Sequence, residues 1–221
     1  MKNNLQTVNK NNAEIFEDWE DTEDLEEKDI LKFEEYQLMR SNIDRKRGNI
    51  AFLEQRDRLF LDLLWETGAR VSDVINIHVK NIKLNNLPPY VHLWVEKSDK
   101  FLDLYLTPEM VDDLKNYIKG YKLKDSDELF KFEYRNAYKL ISELGERAVG
   151  RHVHPHMFRH GNAMYLLETF GLSMDTLSLI KERLGHKELA LTIKWYAKIR
   201  PRIQEQKFTG FSFRRRNNGQ S

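Results

Sequence analysis

The chain has no cysteine among its 221 residues. That excludes disulfides, thiolate zinc sites and cysteine nucleophiles together, and it is expected of a protein kept in a reducing interior. No apolar run approaches the length of a membrane span, and the N-terminus, MKNNLQTVNK, has no apolar signal core. No internal repeat or long low-complexity tract is visible. These absences lead us to expect a cytoplasmic protein of one or two domains, with a real core and no membrane partner.

A strong net charge is also missing: 36 basic residues face 35 acidic ones, for a total of +1. The distribution is uneven. Residues 1–40 hold 12 acidic and 5 basic residues, a net −7, and the remainder holds 31 basic and 23 acidic, a net +8. Two solvated surfaces explain such a split as readily as a basic body that meets phosphate. Charge alone leaves both open.

Residues 1–12 are polar and Asn-rich, the composition of a disordered start. The stretch EIFEDWEDTEDLEEKDILKFEEYQLMR is acidic with scattered apolar residues and predicts one or two short helices. SNIDRKRGN reads as a linker, so a boundary is placed at Gly48. This gives an acidic segment over 1–48, a main domain over 49–200 and a tail over 201–221. From Ile50, Phe52, Leu59, Leu63 and Leu64 recur at helical spacing, and Gly68 is a natural stop. ARVSDVINIHVKNI predicts a shorter helix. YVHLWVEKSDKFLDLYL alternates on both sides of EKSDK, as a β-hairpin does. Thr107-Pro108 opens another helix, with threonine as cap and proline in the first turn. Helices are expected over 132–149, over 156–170 ending at Gly171, over 174–184 capped by Ser173, and over 188–199. The fold class is mainly α with a small antiparallel β-sheet (α+β).

HPHMFRHGNAMYLLETFG, from His154 to Gly171, is the densest chemistry in the chain. His156 and His160 are four apart and share a helix face, as metal-binding histidines do. The zinc motif with that spacing has glutamate after its first histidine; here Met157 stands there, and Arg159 puts a fixed cation beside the second. No metal is therefore expected. A pair of His156 and Arg159 near a helix start suits an anion better. Ordinary helix histidines explain the first without the second. Arg70 at the break after Gly68, Lys97 and Lys100 in the hairpin, His186 in LGHKELALTIKWY and Tyr196 ten residues later are the other anion-binding and nucleophilic candidates.

Taken in order, these stretches resemble the tyrosine recombinase (phage integrase) family. TGARVSDVINI is similar to its first arginine box, EKSDK to its hairpin lysine turn, HPHMFRHGNAMYLLETFG to its His-x-x-Arg box, and LGHKELALTIKWYAK to its last box, Leu-Gly-His followed by tyrosine. The likeness covers residues 50–200, that family's catalytic domain. It implies that Arg70 and Arg159 clamp a phosphate, Lys97 is the hairpin lysine, His156 and His186 hydrogen-bond the phosphate, and Tyr196 is the nucleophile. Asp73 and His160 would support them. His154 is read as the approach to Pro155. The resemblance further implies a site-specific DNA recombinase that works through a 3′-phosphotyrosine, with no cofactor. Its partners would be double-stranded DNA carrying a recombination site, three further copies in a homo-tetramer, and an accessory DNA-binding protein. Its place would be the nucleoid, its setting a mobile element.

Two departures from the family pattern are visible. Tyr196 lies ten residues after His186, where the pattern has nine, and Trp195 fills the ninth place. One residue turns a helical side chain by about 100°, so the extra residue is expected to be absorbed in the loop after His186. The other departure is the acidic segment before residue 49, where relatives carry a DNA-clamping domain; this is expected either of a natural short form, similar to the fimbrial-switch recombinases, or of a fragment. Arg214, Arg215 and Arg216 in the tail are candidate phosphate contacts, and Phe208, Phe211 and Phe213 are anchors for a neighbouring subunit. A non-cutting regulatory relative and a DNA-relaxing or hairpin-forming enzyme remain the alternatives.

Overall fold

Ile50–Thr67 (α2) organises the domain, in a computed structural model that describes residues 27–96 and 99–185. Its second half is apolar nearly all round: Phe60, Leu61, Leu63 and Leu64 have no exposure. A helix with that pattern must be central rather than peripheral. Asn49 caps its start through Phe52 N–H, and Gly68 ends it in the left-handed conformation at φ 62°. Val71–Ile75 (α3) follows at once, then a 3-10 turn over Val79–Asn81.

A three-stranded antiparallel sheet comes next, ordered β1 (Ile82–Lys83), β2 (Tyr90–Val95), β3 (Lys100–Tyr105). The hairpin registers Val95 with Lys100 and Tyr90 with Tyr105. Val91, Leu93, Val95 and Leu104 face the core, as the alternation predicts. Pro108–Gly120 (α4) begins as expected, with Thr107 Oγ1 accepting from Met110 N–H. Tyr134–Leu144 (α5), a π turn over Gly145–Val149, Pro155–Phe170 (α6) and Met174–Leu184 (α7) complete the described chain. The last starts at its Ser173 cap, whose Oγ accepts from Thr176 N–H.

The shorter helix expected over ARVSDVINIHVKNI stops at Ile75. Beyond it the backbone pairs at long range instead: Leu129 N–H donates to the Ile77 carbonyl at 2.8 Å, and Val79 N–H to that of Asp127 at 3.0 Å. The helix expected over 132–149 is α5 followed by the π turn. The helix expected over 188–199 lies outside the described residues.

The core also crosses the boundary placed at Gly48. Phe33–Ser41 (α1) buries Tyr36 and Met39, and Leu31 and Ile43 flank it in the same cluster. Tyr36 stacks on Trp65 at 4.8 Å, and its hydroxyl donates to Asp62 Oδ1 at 2.6 Å. Arg40 Nε reaches the same oxygen at 2.7 Å. Arg151 reaches back across more than a hundred residues of sequence. Its Nη2 pairs with Glu35 Oε2 at 2.7 Å, and its guanidinium donates to the carbonyls of Lys28 and Ile30. From Ile30 onward this acidic stretch is a packed part of the body. A second apolar cluster, with Ala163, Met164, Leu167, Leu177, Ile180 and Leu184, joins α6 to α7.

Candidate functional site: an arginine that joins three sequence boxes

Every helix ends with carbonyls that lack an intrahelical partner and carry partial negative charge. The end of α2 is covered by side chains from elsewhere. Asn162 Nδ2 donates to the Trp65 carbonyl at 2.7 Å and to that of Glu66 at 3.3 Å. Arg183 Nη2 donates to the Glu66 carbonyl at 2.6 Å. Arg159 Nη1 donates to the Gly68 carbonyl at 3.0 Å, and its Nη2 donates to the carbonyl of Leu184, at the end of α7. A planar guanidinium can do this because its donors sit on separate nitrogens in a fixed fork; an ammonium has its three donors on one nitrogen and reaches both carbonyls only where they converge on one point. Arg159 is 4% exposed. It thus ties the first arginine box and the start of the last box to its own helix.

Gly68 is required by this packing as well as by its φ. A Cβ there would sit 2.8 Å from Asn162 Oδ1 and 2.8 Å from Leu184 Cδ2. Gly161 is tighter still, since its Cβ would lie 2.2 Å from the Leu31 carbonyl oxygen. Asn162, Arg183 and Gly161 were not singled out in the sequence. The signal for two of them was the Gly-Asn pair directly after Arg159-His160, where a helix interior gains nothing from either residue unless another backbone comes close.

Arg70 is the N-cap of α3, in extended conformation, two residues after the carbonyl held by Arg159. Its Nη1 lies 3.9 Å from Asp73 Oδ2, an ion pair too long for a hydrogen bond between those atoms. The two side chains are 14% and 4% exposed, so the pairing is mostly shielded. His156 lies in the first turn of α6, half-buried. His160 is buried at 4% exposure, on the side of α6 that carries Met164 and Leu167 into the second cluster.

His154 is more than an approach to Pro155: it is the N-cap of α6. Burial, then the neighbouring His156 and His152, push its pKa down to about 4. The three rings stand in a row, 6.2 Å from His152 to His154 and 6.2 Å from His154 to His156. His152 is anchored at the outer end by Ser142 Oγ at 3.2 Å. The row therefore has a neutral middle member at physiological pH. Glu66, beside Arg183, has its carboxyl pushed up by burial while Thr107 N–H and Oγ1 donate to it at 2.6 and 2.9 Å.

Lys100 is exposed at the start of β3, on the strand face shared with Leu102 and Leu104. Leu102 reaches the other end of the site: a Cβ on Gly185 would be 3.1 Å from its Cδ1. The hairpin and the end of α7 are therefore in contact. Lys97, His186, Tyr196 and Arg214, Arg215 and Arg216 lie outside the described residues. Tyr165 stacks on Phe33 at 4.9 Å, on the lateral face of α6. Among the described residues no group of three or more His, Cys, Asp or Glu is placed to hold a metal. Nor is any described helix long and apolar enough to cross a membrane.

In this mainly helical domain Arg159 and the Arg70 N-cap thus stand at the end of one helix, with the hairpin against the end of another. The pattern of the phage integrase family matches residues 28–202, and the chain belongs to that family. The match begins before Gly48, in keeping with the packing of α1. Among relatives, the tyrosine recombinase XerA of Saccharolobus solfataricus is 32% identical over 137 residues, 62% of this chain and 44% of that one. A probable integrase/recombinase of Methanocaldococcus jannaschii is 29% identical over 167 residues, 69% of this chain and 48% of that one. The chain spans about half the length of the curated relatives it matches. Among solved structures, the XerH site-specific recombinase bound to its difH substrate superposes with a TM-score of 0.63 at 23% identity, covering 81% of this chain and 52% of that one. The catalytic domain of bacteriophage HP1 integrase gives 0.57 at 22% identity, covering 86% and 98%. These two likenesses concern the fold, and they agree with the mainly helical class with a small antiparallel sheet.

Proposed function

We propose that the chain cuts and rejoins DNA strands at a specific site as a tyrosine recombinase. The observation that carries this reading is the double hydrogen bond of Arg159 to the Gly68 and Leu184 carbonyls, which brings the first arginine box, the His-x-x-Arg box and the start of the last box to one place. Family membership adds the chemistry. Tyr196 Oη attacks the scissile phosphorus and the bond to the 5′ oxygen breaks. Lys97 gives that oxygen its proton, and His156 takes the tyrosine proton. Arg70 and Arg159 neutralise the charge that builds on the non-bridging oxygens. His186 hydrogen-bonds the same phosphate, while Asp73 and His160 hold the arginines' surroundings. A 5′ hydroxyl of a second strand then attacks the 3′-phosphotyrosine and releases Tyr196. The bond energy is kept throughout, so no nucleotide cofactor and no metal is required.

Strand exchange needs four such centres on two paired sites, so the working form is a homo-tetramer on double-stranded DNA. Lys100 and the Arg214–Arg216 cluster contribute phosphate contacts, and an accessory DNA-binding protein helps a domain of this size to hold its site. The protein would act in the cytoplasm, at the nucleoid, in the movement or resolution of DNA elements.

A suicide DNA substrate, nicked so that the leaving strand diffuses away, tests the proposal. Wild type should accumulate a covalent protein–DNA adduct and Tyr196→Phe none. An adduct undiminished in Tyr196→Phe places the nucleophile elsewhere. No adduct from wild type on its own site makes the chain a non-cutting relative.

A further inference from the structure

A groove lies at the C-terminal half of α4. It has a volume of about 600 Å³ and is lined by Leu84, Ile118 and Leu123 with Asn116, Lys115, Lys119 and Lys122. The three apolar side chains form its floor, backed by the main core. The three lysines are exposed. None of them is ion-paired with a described residue. The segment 115–124, KNYIKGYKLK, holds four lysines and no acid.

The pattern is that of a receptor for an acidic peptide with apolar anchors. A phosphate backbone would use the lysines but leave the floor unfilled; a peptide with both features uses both. The chain itself supplies such a peptide. Residues 14–29, EIFEDWEDTEDLEEKD, hold ten carboxylates around Ile15, Phe16, Trp19 and Leu25. The described chain begins at Glu27, where Arg151 holds the Lys28 carbonyl. Eight residues, from Glu27 back to Trp19, reach roughly 27 Å when extended. That exceeds the radius expected of a domain of this size, so Trp19 can reach a groove on a neighbouring face from where the segment leaves the body.

We propose that residues 14–20 dock in this groove, with Ile15, Phe16 and Trp19 on the floor of Leu84, Ile118 and Leu123 and the carboxylates of Glu14, Glu17, Asp18 and Glu20 against Lys115, Lys119 and Lys122. The docked segment neutralises a basic patch of its own body, and it gives the split between acidic head and basic body a structural use. The inference does not depend on the proposed strand-cutting activity.

A zero-length carbodiimide, which joins an amine directly to a carboxylate, tests it on the full chain. Peptide mapping should find Lys115, Lys119 or Lys122 joined to a carboxylate between Glu14 and Glu20. In a mixture of isotope-labelled and unlabelled protein the links should stay within one chain. Their yield should fall at least ~3-fold between low salt and 0.5 M salt, where screening shortens to a few ångströms. It should fall by a similar factor in Trp19→Ser, which keeps every charge. Links only between differently labelled chains would make a second copy the occupant and overturn the proposal. A yield unchanged in Trp19→Ser would show charge proximity without seating in the groove, and would overturn it too. The proposal also fails if these links are absent and Lys115→Glu/Lys119→Glu/Lys122→Glu weakens binding to a DNA duplex; the groove is then a nucleic-acid surface.

Discussion

Arg159 Nη1 donates to the carbonyl oxygen of Gly68 at 3.0 Å across 91 residues of sequence, with almost no exposure to water. The same guanidinium holds the Leu184 carbonyl. One side chain therefore does two things. It covers the negative ends of α2 and α7, and it fixes the distance between those two ends. The chemical role proposed for the same side chain can be separated from this structural one by experiment.

Arg159→Lys should lower both stability and strand cleavage. A lysine reaches one carbonyl and leaves the other buried and unpaired, which costs about 1–3 kcal/mol. Loss of the fork on the phosphate should lower adduct formation by ~10²-fold or more. Arg70→Lys keeps a cation beside Asp73 and should show a cleavage loss of similar size with a smaller fall in the urea midpoint. Paired urea melts and suicide-substrate yields on the two variants check this. Equal stability losses would show that the Arg159 hydrogen bonds contribute little to the fold.

Glycine substitutions should rank by the space around each position. Gly161→Ala drives a methyl to within 2.2 Å of the Leu31 carbonyl oxygen, backbone that cannot yield without moving α1. A loss of about 3 kcal/mol or more is expected, at the scale of severe overpacking. Gly68→Ala combines two 2.8 Å contacts with a left-handed φ of 62° and should cost about 1–3 kcal/mol. Gly120→Ala has nothing within 4 Å and lies in a helix, so it should be neutral or stabilise by up to about 1 kcal/mol. Denaturant midpoints on the three variants give the order directly. A neutral Gly161→Ala would mean that α1 is free to shift away from α6.

Much of this architecture is legible in the sequence where a local rule has no competitor. Ser173 and Thr107 cap the helices that their positions announce, and the alternation around EKSDK gives the hairpin. Strand β1 is two residues long, too short for any period to show. The helix expected through Ile82 gives way because Ile77 and Val79 find backbone partners at Leu129 and Asp127, and those partners cannot be read locally. The acidic stretch hid its packing: Tyr36, Met39 and Ile43 follow helical spacing, but twelve acidic residues in the first forty drew the reading toward a solvated segment. At the site, the residue types of the boxes were legible. Their supports at Asn162 and Arg183 were not, because both act on backbone carbonyls nearly a hundred residues or more away.

Asp57 gives a prediction about the linker SNIDRKRGN. Its side chain is fully buried, and Oδ1 accepts from Arg56 Nε at 3.1 Å and Nη2 at 2.9 Å. Oδ2 accepts from Arg45 in that linker. Asp57→Ala leaves the Arg56 guanidinium, 12% exposed, without its carboxylate. The expected loss is about 3–5 kcal/mol. Proteolysis between Ile43 and Gly48 should quicken in the same variant, since the Arg45 side chain loses its tie to α2 and the bond from Arg45 N–H to Glu54 Oε1 at 3.1 Å is left to hold it. A stable variant with unchanged proteolysis would show that this bond and the packing at Ile43 hold the linker without Asp57.

The row of histidines at the start of α6 sets an acid limit on stability. His154 has its pKa pushed down to about 4 by burial first, then by His156 and His152. The folded protein keeps this ring neutral, while the unfolded chain binds a proton below its ordinary value of about 6.5. Protons favour the unfolded state between those values, so stability falls as pH drops from 6.5 toward 4 and, for this group, is level above and below. At ~1.4 kcal/mol per pH unit the ceiling is about 3 kcal/mol, and a partly solvated ring should show on the order of 2. Glu35 acts lower. Burial works upward on its carboxyl, but hydrogen bonds from Arg151 and Lys32 hold it below its ordinary value, so its share is lost only as pH falls through that lower range. The difference between wild type and His154→Gln therefore isolates the histidine. Urea unfolding at pH 7.5, 6, 5 and 4.5 should show wild type losing about 2 kcal/mol more than His154→Gln across the series. Parallel losses would mean that His154 is charged in the folded protein, and that the neutral middle of the row is wrong.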